Sequence, residues 1–156
     1  MFLHHNKNKR RSAFTLMEIL IVVALISILA VSSLPIYGNF QGTAQLNETS
    51  AMLVQTVRQA RELSFVRFSN TNYGVKFLPS SYILYQGTSY ASRTTSTDQV
   101  FALATSLSLT TTLSNNEVNF SRGVGAPNSN GSVLLQNINL GTKTILINSA
   151  GMITLQ

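Results

Sequence analysis

The hydrophobic pattern opens with an almost unbroken apolar stretch from Phe14 to Leu34, which reads FTLMEILIVVALISILAVSSL. At ~1.5 Å of rise per residue, a helix of this length spans the ~30 Å hydrocarbon core of a bilayer. Four Lys and Arg residues precede it within residues 7–11, and such an excess stays cytoplasmic. We therefore predict a hydrophobic helix over residues 14–36, a cytoplasmic N-terminus, and a C-terminal part outside the inner membrane.

Helical periodicity resumes after this stretch and predicts an amphipathic continuation over residues 37–69. Pro35 favours a kink or local unwinding at the membrane edge. One face then carries a stripe that is mostly apolar and is predicted to pack on a sheet: Leu46, Leu53, Val57, Ala60, Ser64 and Phe68. On the polar side, the pattern favours a solvated surface with one i,i+4 ion pair, formed by members of the set Arg58, Arg61, Glu62 and Arg67.

Residues 70–156 show the alternation and turn signals of β-strands. The predicted strands are Tyr73–Leu78, Tyr82–Gln86, Val100–Leu103, Leu107–Thr112, Glu117–Phe120, Val133–Gln136, Lys143–Asn148 and Met152–Leu155. One long N-terminal helix followed only by strands predicts an α+β fold with the helix packed on an antiparallel sheet.

The apolar stretch contains one acid, Glu18, and three interpretations compete to explain it. A simple membrane anchor gains nothing from a buried carboxylate, which costs ~2.5–3.5 kcal/mol at a helix centre. A secretory signal cut near Ala30 or Ser32 gains nothing either. In the third, a leader is cut off before Phe14 on the cytoplasmic side, and Glu18 faces the new ammonium group on Phe14 of a neighbouring copy.

Charge and composition narrow the function classes. The formal charge of +6 falls to +2 once residues 1–13 are removed, since four of the eleven basic residues lie there. The remaining charge gives little reason to expect nucleic-acid binding. The chain has no cysteine, and both histidines lie in residues 1–13. Common nucleophile–base pairs and His or Cys metal sites are therefore missing, so we expect neither a cofactor nor a metal, and an enzyme is the weakest alternative.

The string AFTLMEIL at residues 13–20, after a basic leader, resembles the type IV prepilin signal. The resemblance implies that a prepilin peptidase removes residues 1–13 by cutting between Ala13 and Phe14, and methylates the amine of Phe14. It further implies that Phe14 and Glu18 act in filament assembly, and that Pro35 kinks the helix. One departure is Ala13, because the family usually has Gly before the cut.

Parts of the later sequence resemble H-type pseudopilins and their fimbrial-T relatives. These parts are residues 59–64, 73–77, 118–123 and 145–153. The resemblance implies a pilin-like fold, with a β-rich globular domain over residues 70–156. It also implies a non-enzymatic minor pseudopilin or minor pilin, with other pilin subunits as its partners. The rival is a minor pilin that binds DNA or another ligand. No specific nucleic acid is expected, because Gly151 is followed by Met152 and other uncharged residues. Secretion system, pilus and competence apparatus remain open.

Overall fold

The structure is a computed structural model that describes residues 14–156, without the side chains of residues 32–37 and of Ser69. The predicted leader and Ala13 lie outside the described residues. The chain divides into two compact units, with the boundary between Gly38 and Asn39. Helix α1, Leu16–Phe65, contributes to both units, and each unit is described by itself below.

The second unit contains eight strands in two antiparallel sheets. Their bounds are β1 Tyr73–Leu78, β2 Ser81–Gln86, β3 Gln99–Ala102, β4 Leu107–Thr111, β5 Glu117–Phe120, β6 Gly131–Asn137, β7 Gly141–Ile147 and β8 Ile153–Leu155. Sheet A has the order β3-β2-β1-β5, and sheet B has the order β4-β6-β7-β8. The α+β class and every predicted strand are confirmed, whereas the strands that we expected in one sheet are divided between two.

The second half of α1 supplies one side of a single hydrophobic core. Leu53, Val57 and Ala60 are fully buried there, together with apolar residues of both sheets. Burying a side chain of Leu or Val size contributes ~1.5–3 kcal/mol, so this stripe fixes the helix onto the sheets. The predicted stripe holds as far as Ser64.

The stripe does not extend to Phe68, which is 58% exposed. The helix ends at Phe65, because the backbone turns at Arg67, whose φ of 57° is left-handed. The N–H of Gly123 then donates to the carbonyl of Ser64 at 2.8 Å. A contact from a distant loop therefore satisfies one of the last helical carbonyls.

Around Pro35, the helix is continuous. Local unwinding is therefore not observed there. The side chain of Pro35 lies outside the described residues, and a kink at this residue stays a prediction.

The polar side of α1 faces solvent as predicted, with Arg58, Glu62 and Arg67 exposed and Arg61 half-buried, but the predicted i,i+4 ion pair is absent from the described residues. Arg58 donates from Nη2 to the carbonyl of Ile153 at 3.1 Å, and Arg61 donates from Nε to the carbonyl of Gly125 at 3.2 Å. Within the described residues, neither arginine forms an ion pair with Glu62. Backbone carbonyls can compete with an i,i+4 carboxylate here because surface ion pairs are worth little.

Candidate functional site

The first turn of α1 carries the residues on which the sequence places the functional site. Thr15 lies directly before the first helical residue, and its Oγ1 accepts a hydrogen bond from the backbone N–H of Glu18 at 3.2 Å. This is the N-cap arrangement, in which a side-chain oxygen accepts an N–H of the first turn. The same N–H also donates to the carbonyl of Thr15 at 3.1 Å, so the bond is shared between two acceptors of one residue. The Thr-x-x-Glu spacing is a capping-box signal, which sequence reasoning on Glu18 overlooked.

Phe14 and Glu18 therefore lie on either side of a defined helix start. The Phe14 side chain is 74% exposed, and Glu18 is also exposed. Among the described residues, no cation is paired with the Glu18 carboxylate. The helix dipole favours this acid in the first turn by ~0.3–1 kcal/mol at an exposed site. Glu18 thus stabilises its own helix start while its carboxylate stays available to a partner.

The described apolar side chains of the first unit are exposed on all sides of the helix. From Leu16 to Val31, every large apolar residue is at least 45% exposed, with Val22 the lowest. The hydroxyl of Ser27 does not create a polar face on this helix, because it donates from Oγ to the helix's own carbonyl at Val23, at 2.7 Å. An apolar surface around a whole helix is stable only when other molecules cover it.

For the residues that the structure describes, no helix is long and apolar enough to cross a membrane.

A second polar cluster fastens the loop of residues 87–98 onto sheet A. The buried carboxylate of Glu117 accepts the backbone N–H of Tyr90 at 3.1 Å. Arg93 pairs with Asp98 at 2.7 Å and lies over the Tyr90 ring, 3.7 Å from its centroid. The hydrogen bond to Asp98 raises the pKa of Arg93. Ion pairing and cation–π attraction therefore tie this loop to sheet A.

Tyr85 lies fully buried under this cluster. Burial raises the pKa of the Tyr85 phenol far above its ordinary value, and the charge of Glu117 adds to the effect. Asn119 donates from Nδ2 to the Tyr85 hydroxyl at 3.2 Å and to the carbonyl of Gly87 at 2.8 Å. The phenol is thus a neutral, hydrogen-bonded core group.

Comparison with known proteins adds one match at the N-terminus. Residues 8–34 match the family model of the prokaryotic N-terminal methylation motif. No curated protein and no solved structure gives a match to the chain. The matched residues include Ala13, Phe14 and Glu18, and they end at the last apolar residue before Pro35. The motif supports the family of type IV pilins and pseudopilins, whose subunits are processed by a prepilin peptidase, assemble with other pilin subunits and are usually non-enzymatic.

Proposed function

We propose that the chain is a prepilin, and that its mature form is a structural, non-enzymatic subunit of a pilus-like filament. Prepilin peptidase cuts between Ala13 and Phe14 and methylates the new amine of Phe14. The observation that carries the proposal is the helical stretch from Leu16 to Val31, which is apolar on all sides and exposed. It begins two residues after the predicted mature terminus Phe14, directly after the capping Thr15.

Before assembly, the apolar helix lies in the inner membrane with the second unit outside the cytoplasm. This part of the proposal is supported by the apolar sequence of residues 14–34 and by the methylation motif. In the filament, the same surface packs against the equivalent helices of other subunits. Both environments cover the apolar side chains that the isolated chain leaves exposed.

Assembly in register depends on Phe14 and Glu18. Cleavage leaves an ammonium group on Phe14, which meets the Glu18 carboxylate of a neighbouring subunit in an apolar environment. At ~4 Å and an effective dielectric constant near 20, their attraction is ~4 kcal/mol before desolvation is deducted. A subunit in the wrong register leaves both charges unpaired, so the pair selects the register.

The cap at Thr15 supports this role. By holding the N–H of Glu18, Thr15 fixes where the helix starts and therefore where the carboxylate lies relative to the apolar surface. If the first turn frayed, the position of the Glu18 carboxylate would vary, and its pairing with the ammonium group would weaken. Thr15 is thus a positioning residue for Glu18.

Within this family, we further propose a minor pseudopilin or minor pilin of the H type. The proposal is supported by the sequence resemblance of residues 59–64 and 145–153, and by the order of one long helix followed by antiparallel strands. The rival function is capture of DNA or another ligand by the sheet domain. It predicts that duplex DNA binds to the arginines near the end of α1.

Intact-mass measurement of the protein extracted from membranes tests the processing step. We expect a chain that starts at Phe14, carries one methyl group and retains the apolar helix. A chain starting at Ser33 would mean a secretory signal, and a chain starting at Met1 would mean an uncleaved anchor. Either result would contradict the proposal.

A further inference from the structure

Four arginines surround the C-terminal end of α1 and the loops next to it. With two exposed apolar residues that neighbour them, they form what we call the arginine surface: Arg58, Arg61, Arg67, Arg122, Val124 and Met152. Part of this surface is a cleft of about 380 Å³, lined by Arg58, Arg61 and Glu62 of the helix and by residues 150–153 of the β7–β8 turn.

Arg61 is fixed in place by two glycine turns. Its guanidinium donates from Nε to the carbonyl of Gly125 at 3.2 Å and from Nη2 to that of Ala150 at 3.4 Å. A Cβ atom on Gly151 would lie 2.9 Å from Arg61 Nε, and Gly151 has a φ of +75°. Only glycine combines this backbone with such a close approach, so the turn is shaped around the arginine.

Arg58 and Arg122 are also held by hydrogen bonds to other segments of the chain. Arg58 donates to the carbonyl of Ile153, and Arg122 donates from Nη1 to the carbonyl and Oδ1 of Asn70, both at 2.9 Å. These bonds occupy one nitrogen of each guanidinium. The remaining N–H groups of Arg58 and Arg122 have no partner among the described residues. Because each guanidinium is already anchored through one nitrogen, it loses less side-chain entropy when an anion binds than an unanchored arginine would.

The surface has too few acids of its own to neutralise this charge. Glu62 is the one acid that lines the cleft. Elsewhere in the second unit, Asp98 is paired with Arg93 and Glu117 is buried, which leaves only Glu48 exposed on the same helix. A partner that covers the arginines must therefore bring the negative charges.

The apolar residues identify the kind of partner. Val124 is 67% exposed and Met152 is 60% exposed, and each is adjacent in sequence to glycines that contact Arg61 or Arg67. A sugar-phosphate backbone would bury little apolar area on Val124 and Met152. A polypeptide can place acidic side chains on the arginines and apolar side chains on Val124 and Met152.

We propose that the arginine surface binds an acidic segment of a partner protein whose apolar side chains cover Val124 and Met152. The binding is a property of the second unit, so it goes beyond the filament role and does not depend on the pairing of Phe14 with Glu18.

The test uses the full-length chain in non-ionic detergent and fluorescein-labelled peptides, with binding followed by fluorescence anisotropy. The probe peptide alternates Asp and Glu with Leu and Phe. One comparison peptide has the acids replaced by their amides, a second has the apolar residues replaced by Ser, and duplex DNA is the third comparison. The variants are Arg58→Glu and Met152→Ser. Lys143→Glu is the matched charge control, because Lys143 lies near the start of β7, away from the β7–β8 turn.

We expect the acidic, apolar peptide to bind the wild-type chain. The Arg58→Glu change and each altered peptide should weaken binding at least about tenfold, as for a central contact, and Lys143→Glu should change it less than about twofold. Met152→Ser should weaken binding of the peptide and leave any binding of duplex DNA unchanged. If thermal melting shows that Arg58→Glu is unfolded, Met152→Ser still tests the proposal.

Three results would overturn the proposal. The first is no binding of the probe peptide, and the second is equal peptide binding by the wild-type and Arg58→Glu chains. The third is duplex DNA that binds more tightly than the peptide and whose binding is lost in Arg58→Glu. The last result would assign the surface to nucleic acid.

Discussion

The backbone N–H of Glu18 donates a hydrogen bond to the side-chain oxygen of Thr15 at 3.2 Å. This contact gives Glu18 a local role that is independent of any neighbouring subunit. The acid lies in the first helical turn, where the helix dipole favours it. Any experiment on Glu18 must therefore separate the stability of its own helix start from pairing with the ammonium group of another chain.

The Thr15 cap predicts a measurable local effect. Thr15→Ala removes the side-chain acceptor and keeps the Thr15 carbonyl, which accepts the same N–H at 3.1 Å. It should destabilise the first turn by up to ~1 kcal/mol, which corresponds to at most about fivefold faster amide exchange at Glu18. Hydrogen exchange of the chain in detergent measures this rate. Thr15→Ser keeps the hydroxyl and should exchange like the wild type. Equal exchange in Thr15→Ala and Thr15→Ser would show that the cap does not fix the helix start.

Ser64 predicts a stability effect at the other end of the helix. Its buried Oγ accepts the N–H of Tyr73 at 2.8 Å and donates to the carbonyl of Ala60 at 3.0 Å. Ser64→Ala leaves a buried N–H at the start of β1 without an acceptor, which should cost ~1–3 kcal/mol. Denaturant unfolding measures it, with the exposed Ser149→Ala as control. A loss no larger than in that control would refute this role.

Tyr85 predicts the response of stability to high pH. Burial raises the pKa of Tyr85 above its ordinary value of 10.0, so above that pH the unfolded chain loses a proton that the folded chain keeps. The stabilisation is complete below pH 10 and is lost as the pH rises, by up to about 1.4 kcal/mol per pH unit for one tyrosine. Burial also raises the pKa of Tyr82, which adds to the loss.

Tyr85→Phe separates the two tyrosines. It should reduce the slope of unfolding free energy against pH between pH 10 and about pH 11, and leave the part that belongs to Tyr82. Denaturant unfolding at a series of pH values measures the slope. One of the two N–H groups on Asn119 Nδ2 keeps the carbonyl of Gly87 as its acceptor, and the other loses the Tyr85 hydroxyl. That loss lowers the unfolding free energy by the same amount at every pH and does not change the slope. An unchanged slope would show that Tyr85 titrates normally.

The sequence predicts the local elements well and the long-range contacts poorly. β1 and β5 match their predicted bounds, because strand-forming residues between polar turns mark them. The division into two sheets depends on pairings such as Tyr73 with Phe120, which no local pattern encodes. The helix end at Phe65 likewise depends on the N–H of Gly123.

The candidate site shows the same division. The position of Glu18 in the apolar stretch was readable from the sequence, and so was the Thr15 cap, since its spacing is local. The arginine surface was not readable. Arg61 reaches Gly125 and Ala150 across more than sixty residues of chain, and the periodicity of α1 alone placed it on a solvated face.

The central claim is that Glu18 selects register by pairing with the Phe14 ammonium group of a neighbouring subunit. Glu18→Gln keeps the shape and removes the charge, and Glu18→Ala removes both. Both proteins should be cut before Phe14 and inserted in the membrane like the wild type. If Glu18 served only in peptidase recognition, uncleaved precursor would accumulate instead.

The decisive measurement is the fraction of correctly cut Glu18→Gln protein that enters sheared filaments from the native host, relative to wild type. With the charge pair lost, we expect incorporation to fall at least about tenfold, since a net loss of ~1.4 kcal/mol suffices for that change. Glu18→Ala should fall as far. Cleaved Glu18→Gln protein that enters filaments as well as the wild type would contradict the pairing.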